Sequence, residues 1–122
     1  CSVSTDLHLQ AISMAMASEG DTLIVISNSR SNKEIIDVIE IGKKKGVKSI
    51  VITDMDKSQI AEAADVALIS IVNQTMFSIE GMELSIPSLM LLEFLYTAVA
   101  IKRKEATLTN LDRVRSSLSM KK

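Results

Sequence analysis

Residues 27–32 form a polar segment whose side chains are suited to holding an anion. They supply three hydroxyls, two amides and one guanidinium, directly after an apolar run. If a helix begins behind this segment, the helix N-terminus adds free N–H groups and a positive dipole end. The hydroxyls and amides can hydrogen-bond phosphate or sugar hydroxyl groups, and a guanidinium can make a bidentate contact with phosphate. The candidate ligand-binding residues are Ser27, Ser29, Arg30, Ser31 and Asn32. The alternative is an ordinary turn in which Ser31 or Asn32 only caps the helix.

Acid–base chemistry would fall to a histidine or to carboxylates. His8 is the single histidine, and Glu80, Glu83 and Glu93 are the glutamates that an isomerase would draw on. A general base needs an orienting partner and a substrate within reach, and no spacing here predicts such a pair. We expect His8 in the solvated first turn of a helix, and Glu93 at a solvent-facing or interface position.

Metal and cofactor chemistry have weak support in the sequence. Asp54 and Asp56 follow an apolar run, where aspartates commonly form turns. With one cysteine and one histidine, no zinc cluster is expected. The glycine-rich fingerprint of nucleotide-binding loops does not occur. We therefore expect no metal and no cofactor.

Three apolar runs rich in β-branched residues predict strands at 22–26, 49–53 and 66–71. None alternates with polar residues, which is typical of strands buried on both faces of a parallel sheet. Helical patterns precede each run and predict the order α-β-α-β-α-β with right-handed crossovers. The fold class is therefore α/β, a three-layer α-β-α sandwich with a parallel sheet.

Specific residues mark the ends of these predicted helices. Asp6, Asn32 and Ser58 are the expected N-caps, because their side chains can accept hydrogen bonds from the first-turn N–H groups. Gly20 and Gly46 are the expected ends of the first two helices, where a left-handed residue is favoured.

The pattern changes after the third predicted strand. A polar connection at 73–83 leads to Pro87, which suits the first turn of a helix. The run from 88 to about 102 is apolar on nearly every side, as in a helix packed between layers or at a subunit interface. A last helix is predicted to start at Thr109 or Asn110. We expect a homo-oligomer.

Size and composition restrict the class of protein. The chain has 122 residues, of which 47% are hydrophobic, and a net charge of −1. These values predict one folded domain and exclude a disordered chain. No apolar stretch approaches the roughly 20 residues that span a membrane. The single cysteine and the lack of a secretory signal favour the cytoplasm. Because the chain begins with Cys1, we expect it to be part of a longer protein.

The charges are unevenly distributed along the chain. Residues 102–122 carry seven basic side chains against two acidic ones, whereas residues 1–101 are net acidic. A basic tail can contact nucleic acid. No aromatic residue lies among its charges, however, which favours a solvated helical face.

The polar segment and its flanks resemble the sugar isomerase (SIS) domain. That family's loop reads Ser-x-Ser-Gly-x-Thr, and here Ser27-x-Ser29 follows Glu19-Gly20-Asp21 and an apolar strand. Ile52-Thr53-Asp54 and Ala61-x-x-Ala64-Asp65-Val66 match the family's continuation. Residues 6–10 and 85–95 are similar to RpiR-type transcriptional regulators, in which a SIS domain follows a helix-turn-helix and senses a phosphosugar.

The resemblance implies a flavodoxin-like SIS fold and a phosphosugar site. Ser27 and Ser29 match the family's phosphosugar-binding serines, and Asn32 stands at the threonine position. Arg30 replaces the family's glycine, which changes the loop because arginine disfavours positive φ. The family's other serine loop follows an earlier strand, and this first βα unit is not in the sequence. We therefore expect residues 1–122 to be a single, partial SIS domain.

The resemblance also implies a function. We expect the phosphosugar-sensing effector domain of an RpiR-like transcriptional regulator, not an enzyme, with DNA contacted only through a domain outside this chain. One alternative is an aldose–ketose phosphate isomerase of the same fold, which would need a base beside the serine loop. The other is a degenerate SIS module kept for dimerisation through the helix at 88–102.

Overall fold

Three parallel strands organise the first part of the chain. The computed structural model describes residues 1–27, 33–71 and 85–120. The strands are β1 (Thr22–Ser27), β2 (Lys48–Thr53) and β3 (Val66–Ile69), and they lie in the order β1-β2-β3 with both pairings parallel. The predicted α/β class with a parallel sheet is confirmed.

Five helices are present among the described residues. They are α1 (Leu7–Met16), α2 (Lys33–Lys44), α3 (Gln59–Ala63), α4 (Ser85–Lys102) and α5 (Lys104–Ser119). The chain divides into two compact units, Cys1–Ser88 and Leu89–Lys122. The first unit contains the sheet, and the second contains most of α4 and all of α5. No helix among the described residues is long and apolar enough to cross a membrane.

One face of the sheet is covered by α2 and α3. Ile39 of α2, Val51 of β2 and Ile60 of α3 form a buried cluster, and Leu23 and Val25 of β1 pack against it. Val25 and Val51 are register partners, so their side chains share one face of the sheet. Burying three large aliphatic side chains stabilises this layer by about 1.5–3 kcal/mol each.

A second cluster holds α1 against α2. Met14, Val38 and Val47 are buried together, with Leu23 packed against them. Gly42 lies at this contact, where an added Cβ would be 2.9 Å from the Met14 sulfur. The absence of a side chain at Gly42 therefore lets the two helices approach closely.

The predicted caps of α1 and α3 are confirmed. The Asp6 carboxylate accepts a hydrogen bond from the Leu9 N–H at 3.0 Å, and the Ser58 hydroxyl accepts one from the Ala61 N–H at 3.2 Å. Each bond satisfies one of the N–H groups that a helix start leaves without an intrahelical partner. The predicted cap Asn32 lies outside the described residues.

The ends of the first two helices differ from each other. After α2, Gly46 has the predicted positive φ of +79°, and Val47 N–H donates to the Gly42 carbonyl at 2.9 Å. This is a Schellman ending. After α1, the prediction that Gly20 ends the helix is wrong, because α1 stops at Met16 with an extended Ala17 behind it.

Lys45 explains the earlier end of α1. Its ammonium group donates to the carbonyls of Ala15, of Met14 at 3.3 Å and of Ala17 at 3.2 Å. Met14 and Ala15 belong to the last turn of α1, whose carbonyls lack the usual helical partners, and Ala17 directly follows it. The Met14 carbonyl also accepts a hydrogen bond from the Ala17 N–H at 3.2 Å. A cation there is also favoured by the negative end of the helix dipole.

The start of the last helix is also corrected. α5 begins at Lys104 instead of Thr109 or Asn110, and only Arg103 separates it from α4. The helical hydrogen-bond pattern continues through this residue, since Arg103 N–H donates to Val99 and Thr107 N–H donates to Arg103. Thr109 is not a cap, because its hydroxyl donates to the Glu105 carbonyl inside the helix at 3.0 Å.

Candidate functional site

The carboxyl ends of the three strands bring three hydroxyl-bearing residues side by side. Ser27 ends β1 and is the register partner of Thr53, which ends β2. Ser70 directly follows β3, and its N–H donates to the Thr53 carbonyl at 2.8 Å. Ligands of open parallel sheets bind beyond this edge. The edge is therefore the candidate site.

The three hydroxyls differ in how they are used. Thr53 is 1% exposed, and its hydroxyl lies 3.4 Å from both the Asp54 carboxylate, to which it donates, and the Met55 N–H, from which it accepts. These long contacts hold the turn after β2. Ser27 is half-buried. Ser70 is buried, and its Oγ has no hydrogen-bond partner among the described residues.

Helix α2 is placed to support a ligand at the same edge. It begins at Lys33, six residues after Ser27, and Ile39 anchors it on the sheet. The N-terminus of a helix that follows a parallel strand lies at the carboxyl edge and favours negative charge. Four of the predicted site residues, Ser29, Arg30, Ser31 and Asn32, lie outside the described residues, so Ser27 is the one that the structure positions.

A separate polar cluster lies at the opposite side of the sheet, where the amino ends of β2 and β3 meet. The Asp65 carboxylate accepts hydrogen bonds from the Ser49 N–H at 2.9 Å and the Ser49 hydroxyl at 3.1 Å, and it pairs with the Lys48 ammonium at 3.4 Å. The Ser49 N–H is the main reason that the pKa of Asp65 lies below its ordinary value, with the Ser49 hydroxyl and Lys48 adding to the effect. Thr53 lies four residues further along β2 than Ser49, which corresponds to about 13 Å. This cluster therefore ties β2 to β3 and lies far from the candidate site.

The structure describes two of the candidate acid–base residues, His8 and Glu93. His8 lies in the first turn of α1 and is exposed, as expected, and Glu93 of α4 is also exposed. Glu80 and Glu83 lie outside the described residues. Asp54 and Asp56 occupy the turn after β2. Within residues 1–27, 33–71 and 85–120, no three His, Cys, Asp or Glu side chains cluster as metal ligands.

Sequence reasoning did not select Thr53 or Ser70 as site residues. A usable signal existed, because each ends or follows an apolar run that predicts a parallel strand. The missing information was the register of the sheet, which places Thr53 beside Ser27 and Ser70 beside Thr53.

Comparison with known proteins gives the family. Residues 1–98 match the model of the SIS domain. The chain is 32% identical over 122 residues to an uncharacterized HTH-type transcriptional regulator of Caldanaerobacter subterraneus, covering all of this chain and 43% of that protein. It is 30% identical over 100 residues to the HTH-type transcriptional regulator RpiR of Escherichia coli K12, covering 82% of this chain and 34% of that protein.

Comparison with solved structures also finds a protein of similar fold. The structure of the Vibrio vulnificus NanR protein complexed with ManNAc-6P aligns with a TM-score of 0.73 at 20% identity, over 94% of this chain and 44% of that one. The chain thus spans less than half the length of these relatives. Since the family model matches most of its residues, the chain belongs to the SIS domain family, and its relatives include proteins named as RpiR-type HTH transcriptional regulators.

Proposed function

We propose that this chain is the phosphosugar-sensing effector domain of an RpiR-like transcriptional regulator. The observation that carries the proposal is the position of Ser27, at the carboxyl end of β1 and in register with Thr53. From there the chain passes through the polar segment 28–32 into α2. The NanR structure, which holds ManNAc-6P, supports a ligand of this class by its similar fold.

The phosphate group of the ligand is assigned to the N-terminus of α2. There Ser29, Ser31 and Asn32 would donate hydrogen bonds to it, together with free N–H groups of the helix. Arg30 would add a bidentate, charge-assisted contact. The sugar ring would then extend from Ser27 along the carboxyl edge of the sheet.

Oligomerisation is assigned to the second unit. Within Leu89–Lys122, both helices carry large apolar side chains that are mainly exposed, and α5 has no buried residue. Phe94 is 64% exposed and Tyr96 is 63% exposed. Large exposed apolar side chains in such number favour an interaction surface in a soluble protein. A second copy of the chain is the occupant we propose.

The remaining parts of the regulator would lie outside this chain. Ile24 and Ile26 of β1 are 44% and 48% exposed, and β1 is an edge strand of the described sheet. We propose that an upstream βα unit of the same SIS domain lies beside the unpaired side of β1. DNA would be bound by a helix-turn-helix domain in the longer protein, acting in the cytoplasm. Sugar-phosphate binding would change how two copies pack and so alter DNA binding.

Calorimetric titration of the full-length protein tests the proposal. The panel is N-acetylmannosamine 6-phosphate, glucose 6-phosphate, ribose 5-phosphate and inorganic phosphate. At least one sugar phosphate should bind, and Arg30→Ala should weaken it about 10- to 100-fold, as expected for a charged hydrogen-bond partner. Lys44→Ala, which removes an exposed cation from the other end of α2, is the control and should bind normally. If no sugar phosphate of the panel binds, the proposal fails.

A further inference from the structure

Ser70 is a buried serine that directly follows β3. It is 5% exposed, and its Oγ has no hydrogen-bond partner in the part of the chain that the structure describes. A buried polar group without a partner costs about 1–3 kcal/mol of stability. Alanine at this position would avoid that cost, so the hydroxyl calls for a function other than stability.

Ser49 provides the contrast within the same sheet. It is also buried, at 3% exposed, but its hydroxyl donates to the Asp65 carboxylate at 3.1 Å and accepts from the Asp65 N–H at 3.1 Å. Ser49 lies near the amino end of β2, and both of its bonds hold β2 to β3. Ser49 and Ser70 therefore differ in one respect: the Ser49 hydroxyl is hydrogen-bonded within the sheet, and the Ser70 hydroxyl has no partner among the described residues.

The Ser70 hydroxyl lies at the carboxyl edge of the sheet, where the proposed ligand binds. Ser70 follows the last residue of β3, and its backbone N–H bonds to Thr53, the register partner of Ser27. Because neighbouring strands are about 4.8 Å apart, Ser27 and Ser70 are separated by two strand spacings, about 10 Å. A sugar phosphate lying along the edge can span this distance and contact both residues.

No hydrogen bond to another described residue fixes the Ser70 side chain. Serine has three staggered χ1 positions. A change between them would therefore break no hydrogen bond among the described residues.

We propose that Ser70 is a specificity-determining residue of this site, and that its hydroxyl hydrogen-bonds a hydroxyl of the sugar ring and not the phosphate. This inference rests on the proposed function. It extends the site from the start of α2 across the sheet to the end of β3. It also predicts that the domain distinguishes sugar phosphates by their ring hydroxyls, since an unpaired buried group disfavours a ligand that cannot satisfy it.

Ser70→Ala and Ser49→Ala in the full-length protein test the inference. For Ser70→Ala, the melting temperature without ligand should be unchanged or higher, and the Kd for the tightest-binding sugar phosphate of the panel should rise about 3- to 10-fold. Inorganic phosphate should compete with that ligand equally well in wild type and Ser70→Ala. Ser49→Ala should show the reverse, a lower melting temperature and an unchanged Kd.

The outcomes separate this inference from the proposed function. If wild type binds a sugar phosphate and Ser70→Ala binds it equally well, the inference is wrong and the proposed function stands. If Ser70→Ala melts at a lower temperature with an unchanged Kd, Ser70 is structural and the inference is again wrong. If inorganic phosphate competes less well in Ser70→Ala, Ser70 contacts the phosphate and the assignment to the sugar ring fails. If wild type binds no sugar phosphate, both are wrong.

Discussion

Ser49 and Asp65 hold each other by hydrogen bonds in both directions. The Ser49 N–H and hydroxyl donate to one oxygen of the Asp65 carboxylate, at 2.9 and 3.1 Å, and the Asp65 N–H donates back to the Ser49 hydroxyl at 3.1 Å. This exchange fixes the start of β3 beside the start of β2. Through the register of the sheet, it also fixes which residues meet at the opposite, carboxyl edge.

The first prediction concerns the pH dependence of stability. The hydrogen bonds from Ser49 hold the pKa of Asp65 below its ordinary value of 3.8. In the unfolded chain those bonds are lost, so the carboxylate stabilises the fold above pH 3.8 and loses this effect as the pH falls through the lower, folded-state pKa. Asp65→Asn should therefore be less stable than wild type at pH 6, with the difference in unfolding free energy shrinking toward pH 2.5.

Urea unfolding at a series of pH values measures this difference. Glu62→Gln is the control, because it removes an exposed carboxylate from α3 that lies outside the Ser49 cluster. Its stability difference from wild type should change less with pH. A difference between wild type and Asp65→Asn that stays constant from pH 6 to pH 2.5 contradicts the role given to Ser49.

The second prediction concerns the lysine that ends α1. Lys45→Ala removes the ammonium group from the carbonyls of Met14, Ala15 and Ala17. The free energy of unfolding should fall by about 0.5–1 kcal/mol, the usual contribution of a cation at a helix C-terminus. Lys44→Ala, one residue earlier and exposed, should have a smaller effect. If chemical denaturation shows the same loss of unfolding free energy for both variants, the contact of Lys45 with α1 does not contribute to stability.

The third prediction compares two glycines with positive φ. Gly46 and Gly20 have φ of +79° and +93°. A Cβ at Gly46 would be 3.0 Å from the Glu19 Cγ, whereas a Cβ at Gly20 would have no atom within 4 Å. Both alanine variants should lose about 1–2 kcal/mol from the left-handed backbone, and Gly46→Ala should lose more. Thermal unfolding that ranks Gly20→Ala as the more damaged variant would contradict the steric argument.

The fourth prediction concerns assembly. Phe94→Glu places a charge on the exposed apolar surface of α4 and should shift the protein toward monomer in sedimentation velocity at micromolar concentration. Val3→Glu is the control, since Val3 is 91% exposed and lies outside the second unit. It should leave the oligomer intact. If Phe94→Glu has the wild-type sedimentation coefficient, the exposed surface of α4 is not the interface.

The sequence predicted the elements whose signals are local. Unbroken β-branched runs indicated all three strands, although β3 ends at Ile69, two residues before the predicted end. Asp6 and Ser58 cap their helices as predicted because the carboxylate or hydroxyl bonds an N–H only three residues away. Local chemistry was sufficient in these cases.

Features set by distant residues were not predictable in this way. The end of α1 depends on Lys45, which is 28 residues beyond Ala17 and contacts it only in the folded chain. Thr109 has the side chain of a good cap, but its hydroxyl is already bonded within α5. At the candidate site, the sequence selected the contiguous segment containing Ser27. Thr53 and Ser70 join Ser27 only through the register of separate strands.

The most direct test of whether the carboxyl edge is the ligand site is hydrogen–deuterium exchange of the full-length protein. The exchange is measured with and without the sugar phosphate that binds it. The account predicts slower exchange in peptides covering residues 27–34 when ligand is present. It predicts no change around Ser49 and Asp65 at the opposite edge. Protection confined to that opposite edge, or no change at residues 27–34 under saturating ligand, would contradict the central claim.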